Sequence, residues 1–223
     1  MPALSSSFWT PRLEPDEAAE AGRDPMLIFV LGGPGCGKGT VCSRLILEMG
    51  LIHLSMAEVL LQAADAHPES TTADEIRQCM AQGVLVRDDI VIRLLRNRIY
   101  SMPGETFLID GFPRNMKQAL MFEDQIAAPD LVLCLDCPEA VLAERLQAQM
   151  QMQTPTEPAH PNARAVISKR LKSFYQDGVP VIERYQSLGL VVRVDGQQSR
   201  AEVFAKAKAA VEGLVQTAFD TEA

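Results

Sequence analysis

The chain has no long hydrophobic run. Its longest strongly apolar stretch, Met26 to Leu31, falls far short of the ~20 residues that a membrane span requires. The first residues carry no hydrophobic segment of signal-peptide type, and Glu14, Asp16, Glu17 and Glu20 count against a mitochondrial transit peptide. Cysteine is scarce. The five cysteines, at positions 36, 42, 79, 134 and 137, form no disulfide framework. Cys134 and Cys137 make a lone CxxC with no second pair and no nearby histidine, which argues against zinc there. Reduced thiols in a cytoplasmic protein are the expectation. Positive charge is also short: 21 Lys and Arg face 29 Asp and Glu, for a net charge of −8. That argues against nucleic acid or an anionic membrane as a partner, while leaving room for a small polyanion in a local basic pocket.

What is present is ordinary for a globular protein. Hydrophobic residues make up 47% and charged residues 22% of the 223 positions, which excludes full disorder and fibrous repeats. A chain of this size buries roughly 70% of its unfolded surface. Residues 1–25 stand apart, with four prolines, three consecutive serines and a cluster of acids. They read as an irregular N-terminal extension. Phe8 and Trp9 are an apolar pair that fits docking on the body or on a protein partner, against the alternative of a solvated tail.

From Met26 onward, short apolar runs alternate with helical patterns. Strands are expected at Met26–Leu31, Thr106–Ile109, Leu131–Leu135 and Leu190–Val194. The helix after the first strand has Val41, Leu45, Leu47 and Met49 on its expected apolar face. Further helices are expected at Ala57–Ala66, Ala73–Ala81, Asp88–Tyr100, Glu139–Met152, Arg164–Leu188 with a break near Pro180, and Ala201–Val215. Strands separated by helices mean βαβ units, an α/β fold with a central parallel sheet. Gln153–Asn162, with three prolines and His160, interrupts two helices as a candidate lid.

The segment Gly32-Gly33-Pro34-Gly35-Cys36-Gly37-Lys38-Gly39-Thr40 has phosphate-loop spacing, with four residues between Gly32 and the Gly37-Lys38 pair. Glycines let successive backbone N–H groups point into one cavity, and the following helix adds its positive end. Lys38 supplies a point charge for the outer phosphates. Gly39 intervenes before the hydroxyl of Thr40. Asp110 ends an apolar strand, where a carboxylate can hold a hydrated Mg²⁺; capping the next turn is its alternative role. Arg114 follows Pro113 and can aim a guanidinium at phosphate.

GxPGxGKGT resembles the nucleoside monophosphate kinases, the adenylate kinases and UMP/CMP kinases. Other segments agree in order: His53-Leu54-Ser55 with Glu58, Gly83-Val84-Leu85-Val86, Asp110-Gly111-Phe112-Pro113-Arg114, Glu144-Arg145-Leu146 and Lys169-Arg170-Leu171. The resemblance covers about residues 26–215. It implies a P-loop kinase fold with about five parallel strands flanked by helices. It also implies a helical monophosphate-binding insert at about 55–85 and a short lid at about 152–163, all within a domain of residues 26–223. The implied activity is ATP- and Mg²⁺-dependent phosphorylation of a nucleoside monophosphate. Gly33, Gly35, Cys36, Gly37, Lys38, Gly39, Thr40 and Arg145 are the implied ATP residues. Ser55, Gly111, Arg114 and Gln118 are the implied acceptor residues. Lys38, Asp110, Arg114 and Arg170 are the implied catalytic set, with no direct metal ligand and Asp110 acting through water. Arg164 is a further candidate.

The chain departs from the family pattern in the acceptor clamp and lid. Leu61 stands where the family has a phosphate-binding arginine, Gln149 where it has a second arginine, and Ala57 where it has glycine. Ala159-His160-Pro161-Asn162 aligns with its Arg-x-Asp-Asp, and Arg87 with its proline. Gln118 matches the adenine-reading glutamine of adenylate kinases, whereas Asn115 resembles the UMP/CMP branch; AMP is the expected acceptor. The rival expectation is a degenerate nucleotide-binding homologue that serves as a structural or regulatory subunit.

Overall fold

The computed structural model describes residues 24–153 and 163–221. Five parallel strands form one sheet in the order β2-β3-β1-β4-β5. They are β1 (Met26–Gly32), β2 (Ile52–Ser55), β3 (Thr106–Asp110), β4 (Leu131–Asp136) and β5 (Val191–Asp195). The helices are α1 (Lys38–Met49), α2 (Met56–Ala66), α3 (Thr71–Gln82), α4 (Asp88–Tyr100) and α5 (Met116–Gln125). They continue with α6 (Glu139–Gln153), α7 (Ala163–Ser173), α8 (Val179–Ser187) and α9 (Arg200–Thr221). This is the expected α/β P-loop kinase architecture.

The sheet is covered on both faces because its strands are apolar at successive positions. In β1, Leu27, Phe29 and Leu31 face a core shared with α2, α3, α4, α5 and α8. Ile28 and Val30 face the other, shared with α1, α6, α7 and α9. Phe29 anchors the first core, its ring 5.7, 5.2 and 5.8 Å from those of Phe112, Phe122 and Tyr185. Each such fully buried side chain contributes about 1.5–3 kcal/mol. Among the described residues, no helix is long and apolar enough to cross a membrane.

Strand β1 lies between β3 and β4, so the chain winds one way to reach β2 and β3 and the other way to reach β4 and β5. Ligands of such sheets bind beyond the carboxyl ends of the strands where the winding reverses. Gly32 and Asp110 stand at that point, with β1 and β3 in register through Val30 opposite Asp110.

Several expectations are corrected. Leu47 is 84% exposed and does not belong to the apolar face of α1, which Val41, Cys42 and Leu45 make. Strand β2 was not expected; its four residues, Ile-His-Leu-Ser, are too short and too mixed to show a strand pattern. The expected break near Pro180 takes the form of a π-helical turn at Phe174–Gly178, and Pro180 sits in the first turn of α8. Helix α9 runs six residues past the expected end at Val215. The extension with Phe8 and Trp9, and most of the candidate lid including Ala159–Asn162, lie outside the described residues.

Candidate functional site

The phosphate loop joins β1 to α1 through a turn that only glycine accommodates. Gly32 has φ +140°, and a Cβ there would lie 2.5 Å from the Leu135 carbonyl oxygen and 2.9 Å from Cys36 Sγ. The back of the loop is pressed onto the end of β4. Its front is open: a Cβ at Gly37 or Gly39 would meet nothing within 4 Å. Gly37 (φ +102°) precedes α1 with no side-chain cap, so the helix presents free N–H groups to this open side. Gly33 and Cys36 are buried, whereas Thr40 is exposed.

Lys38 folds back over the loop. Its Nζ donates to the carbonyls of Gly32 at 2.9 Å and Gly33 at 3.0 Å, and lies 3.7 Å from Cys36 Sγ. In this arrangement a cation is parked beside a cluster of backbone donors. An arriving phosphate offers it a stronger, charge-assisted partner.

Asp110 ends β3 beside the loop. Burial pushes its carboxyl above the ordinary range, opposed by the charges of Lys38, His53 and Arg114 and by the Gly111 N–H. Gly111 turns the chain at φ +78°, and the Arg114 Nε donates to its carbonyl at 2.8 Å. Desolvation lowers the pKa of the Arg114 guanidinium; Asp110 opposes this, and the charge of Arg170 adds to it. Lys38, Asp110, Arg114 and Arg170 therefore act within one electrostatic neighbourhood, although they come from α1, β3, the following turn and α7.

Ser55 closes β2 in register with Asp110, at the start of α2. Arg145 on α6 reaches across to the loop after β5, donating at 2.9 Å to the Gly196 carbonyl and lying 3.5 Å from Cys137 Sγ. An open cavity of about 520 Å³ adjoins it, lined by Cys137, Pro138, Arg193, Asp195, Gln197 and others. That volume is in the range that holds small molecules.

Gln118 is 2% exposed and its amide is tied down. Its Oε1 accepts from the Arg114 backbone N–H at 2.8 Å, and its Nε2 donates to Asp88 Oδ1 at 3.1 Å. The partners fix the orientation, because a backbone N–H only donates and a carboxylate only accepts. Asp88 also takes a 3.0 Å ion pair from Lys117 and a 3.5 Å contact from Asn115 Nδ2. These bonds draw its carboxyl below the usual value although burial, the largest influence, acts upward.

Of the arginine candidates, Arg87 is bound to Glu75 at 3.4 Å and Asp89 at 3.1 Å, and Arg164 is exposed at the start of α7. Leu61 is 45% exposed on α2 and supplies no charge. Sequence reasoning missed Asp88 and Gly196. Asp88 had a signal as an acid opening a helix. Gly196 had none, since its role depends on a missing side chain: a Cβ there would lie 2.5 Å from Cys137 Sγ.

The family model for adenylate kinase matches residues 30–190. The chain belongs to the adenylate kinase family. It is 36% identical over 197 residues to uridylate kinase of Saccharomyces cerevisiae, covering 87% of this chain and 91% of that protein. It is 34% identical over 195 residues to UMP-CMP kinase 3 of Arabidopsis thaliana, covering 87% and 93%. It is 34% identical over 190 residues to adenylate kinase isoenzyme 5 of Homo sapiens, covering 84% of this chain. The chain spans about a third of that last protein, 33% of its length. Membership of the adenylate kinase family agrees with both the strand order and the phosphate loop. The names of these relatives divide between the adenylate and the pyrimidine branches.

Proposed function

We propose that this nucleoside monophosphate kinase transfers the γ-phosphoryl group of ATP to a nucleoside monophosphate, with AMP preferred over UMP and CMP. The observation that carries the proposal is Lys38 lying over an open glycine loop beside Asp110, with Arg114 and Arg170 in the same electrostatic field. ATP phosphates enter the front of the loop at Gly37 and Gly39, and Lys38 exchanges the carbonyls of Gly32 and Gly33 for phosphate oxygen. Arg114 orients the acceptor phosphate, and Arg170 adds charge where the transferred group carries it. Arg145 and the cavity by Cys137 belong to the ATP side. Ser55, Gly111 and Gln118 belong to the acceptor side, with α2 and α3 as its insert. Transfer is direct and in line, with no protein nucleophile.

The donor set fits a hydrated Mg²⁺. This hard cation takes oxygen ligands and keeps several waters, and Asp110 is a carboxylate positioned to accept hydrogen bonds from them. When bound, Mg²⁺ supplies charge neutralisation for the phosphates. The preference for AMP rests on Gln118. Gln118 matches the adenine-reading glutamine of adenylate kinases, and an amide can pair bidentately with an adenine edge. The free thiols support a cytosolic location.

The absence of charge at Leu61 favours a second reading, in which the chain binds nucleotide as a structural or regulatory subunit and residues 1–25 dock a protein partner. A coupled assay of ATP with AMP, UMP, CMP and GMP, run beside nucleotide binding, separates the two. Turnover ranked AMP first supports the proposal. Turnover ranked UMP or CMP first removes the AMP preference, and binding without turnover selects the subunit reading.

A further inference from the structure

Behind the phosphate loop lies a donor set of which phosphoryl transfer uses only Asp110. Cys42 Sγ, an imidazole nitrogen of His53 and a carboxylate oxygen of Asp110 all lie within 4.8 Å of one another. The fold brings them together across 68 residues of chain. Strands β2 and β3 pair in parallel with His53 opposite Leu108 and Ser55 opposite Asp110. Side chains alternate along a strand, so His53 and Asp110 share the face on which Leu108 packs with Cys42 of α1.

A second observation also points to a ligand. His53 Nε2 is buried without a hydrogen-bond partner. A buried polar nitrogen left unmatched calls for an explanation, and an absent ion is one of the recognised ones.

The geometry points to a binding site for Zn²⁺, or a similarly thiophilic divalent cation, formed by Cys42, His53 and Asp110. The donors decide the class of metal. One thiolate, one imidazole and one carboxylate suit borderline-soft Zn²⁺ and Co²⁺, whereas Mg²⁺ disfavours sulfur and imidazole. Three protein ligands leave a fourth tetrahedral position for water. Bond lengths of about 2.0–2.3 Å put tetrahedral ligands roughly 3.3–3.6 Å apart. Donors now within 4.8 Å reach that spacing by closing about 1 Å, which side-chain rotation can supply.

His53 and Asp110 are half-buried, so an ion can enter from the cleft, while Cys42 is fully buried at the back. Burial raises the Cys42 thiol well above its ordinary pKa. The ion must therefore displace the thiol proton to solvent, as structural zinc does at other cysteines. Lys38 is the cation whose charge acts on both Cys42 and Asp110, and its ammonium is turned toward the Gly32 and Gly33 carbonyls. With the cation bound, Asp110 is withdrawn from the nucleotide and the site is inhibitory. That consequence rests on the function proposed above; binding of the ion does not.

The test is a Co²⁺ titration of the nucleotide-free full chain, reduced with a non-thiol reductant. The readout is thiolate-to-cobalt charge-transfer absorption. The expected result is a band that saturates at one equivalent, is bleached by Zn²⁺, and is lost in both Cys42→Ala and His53→Gln, each shown to be folded by circular dichroism. If one variant does not fold, the other decides. No band in the wild type overturns the site. So does a band that survives in either folded variant, which would assign the metal to other groups such as Cys36 or Cys137. In a turnover assay, inhibition by buffered Zn²⁺ should need at least about tenfold more free ion in Cys42→Ala than in the wild type. Equal inhibition would overturn the inhibitory role. A chain without kinase activity would still give the cobalt result, so the two proposals fail separately.

Discussion

Replacing Gly32 by alanine tests whether the phosphate loop is held in shape by its contact with β4. Two costs arise from one methyl group. The backbone sits at φ +140°, a region that side chains other than glycine reach only with strain of about 1–3 kcal/mol. The new Cβ would also stand 2.5 Å from the Leu135 carbonyl oxygen, where ordinary contact begins at 3.4 Å. That oxygen cannot withdraw easily. Leu135 is paired with Gly32 on one side and Val194 on the other, so β4 is held by a strand on each side. Cys36 Sγ, 2.9 Å away, blocks a sideways escape. Overpacking of this kind costs about 1–3 kcal/mol. The two together come to about 2–6 kcal/mol, a large part of the 5–15 kcal/mol available to a typical domain.

Urea denaturation reads this directly. With a slope of about 2 kcal/mol per molar, a loss near 3 kcal/mol moves the midpoint down by about 1.5 M. Gly39→Ala is the control. It lies in the first turn of α1, has no positive φ, and its Cβ would meet nothing within 4 Å. Its stability should hold or rise by up to about 1 kcal/mol. Its turnover should fall, because the methyl group enters the open side where phosphate approaches. A wild-type midpoint for Gly32→Ala would refute the packing argument.

Lys38→Ala should lower turnover by at least about 100-fold, read in a coupled assay, since its charge acts on the phosphates in the transition state. Stability should fall by only about 1 kcal/mol, because two carbonyl contacts are lost from a half-buried side chain. Asp110→Asn should raise stability at neutral pH while lowering turnover. The raised folded-state pKa means that ionised Asp110 opposes folding above that pKa. The opposition fades as pH falls through it toward the ordinary value of 3.8. The stability gap between variant and wild type, followed by denaturation across pH, should therefore close on acidification; a gap that widens would reverse the sign of the argument. Leu61→Arg should tighten the acceptor by about 1–3 kcal/mol, seen as a lower acceptor KM, at little cost to an exposed helix position. An unchanged KM in a folded variant would place the acceptor clamp elsewhere.

The legible parts of this molecule are contiguous in sequence. The phosphate loop is nine consecutive residues between an apolar strand and a helix, and Asp110 to Arg114 are five. Both carry their geometry in local composition. Apart from helix α5, which was not expected, the order of strands and helices was legible for the same reason, because most core strands are short apolar runs. Strand β2 was not, since His53 and Ser55 break its apolar pattern and its neighbour β3 arrives more than 50 residues later. Leu47 misled because helical spacing does not say which side of a helix is covered; the sheet decides that, and leaves Leu47 in solvent. The link from Asp88 through Gln118 to Arg114, and the meeting of Cys42, His53 and Asp110, are products of the crossovers. Nothing in the local sequence around any one of them announces the others.

The central claim is that this chain moves a phosphoryl group directly between two bound nucleotides. Its most direct test uses ATP labelled in the γ-phosphoryl group, incubated with the full chain, Mg²⁺ and AMP, with Lys38→Ala run in parallel. The account predicts label in the β-position of ADP, no label on the protein, and loss of transfer in the variant. Bound ATP that leaves AMP unlabelled, or labelled ADP formed as fast by Lys38→Ala, would contradict it.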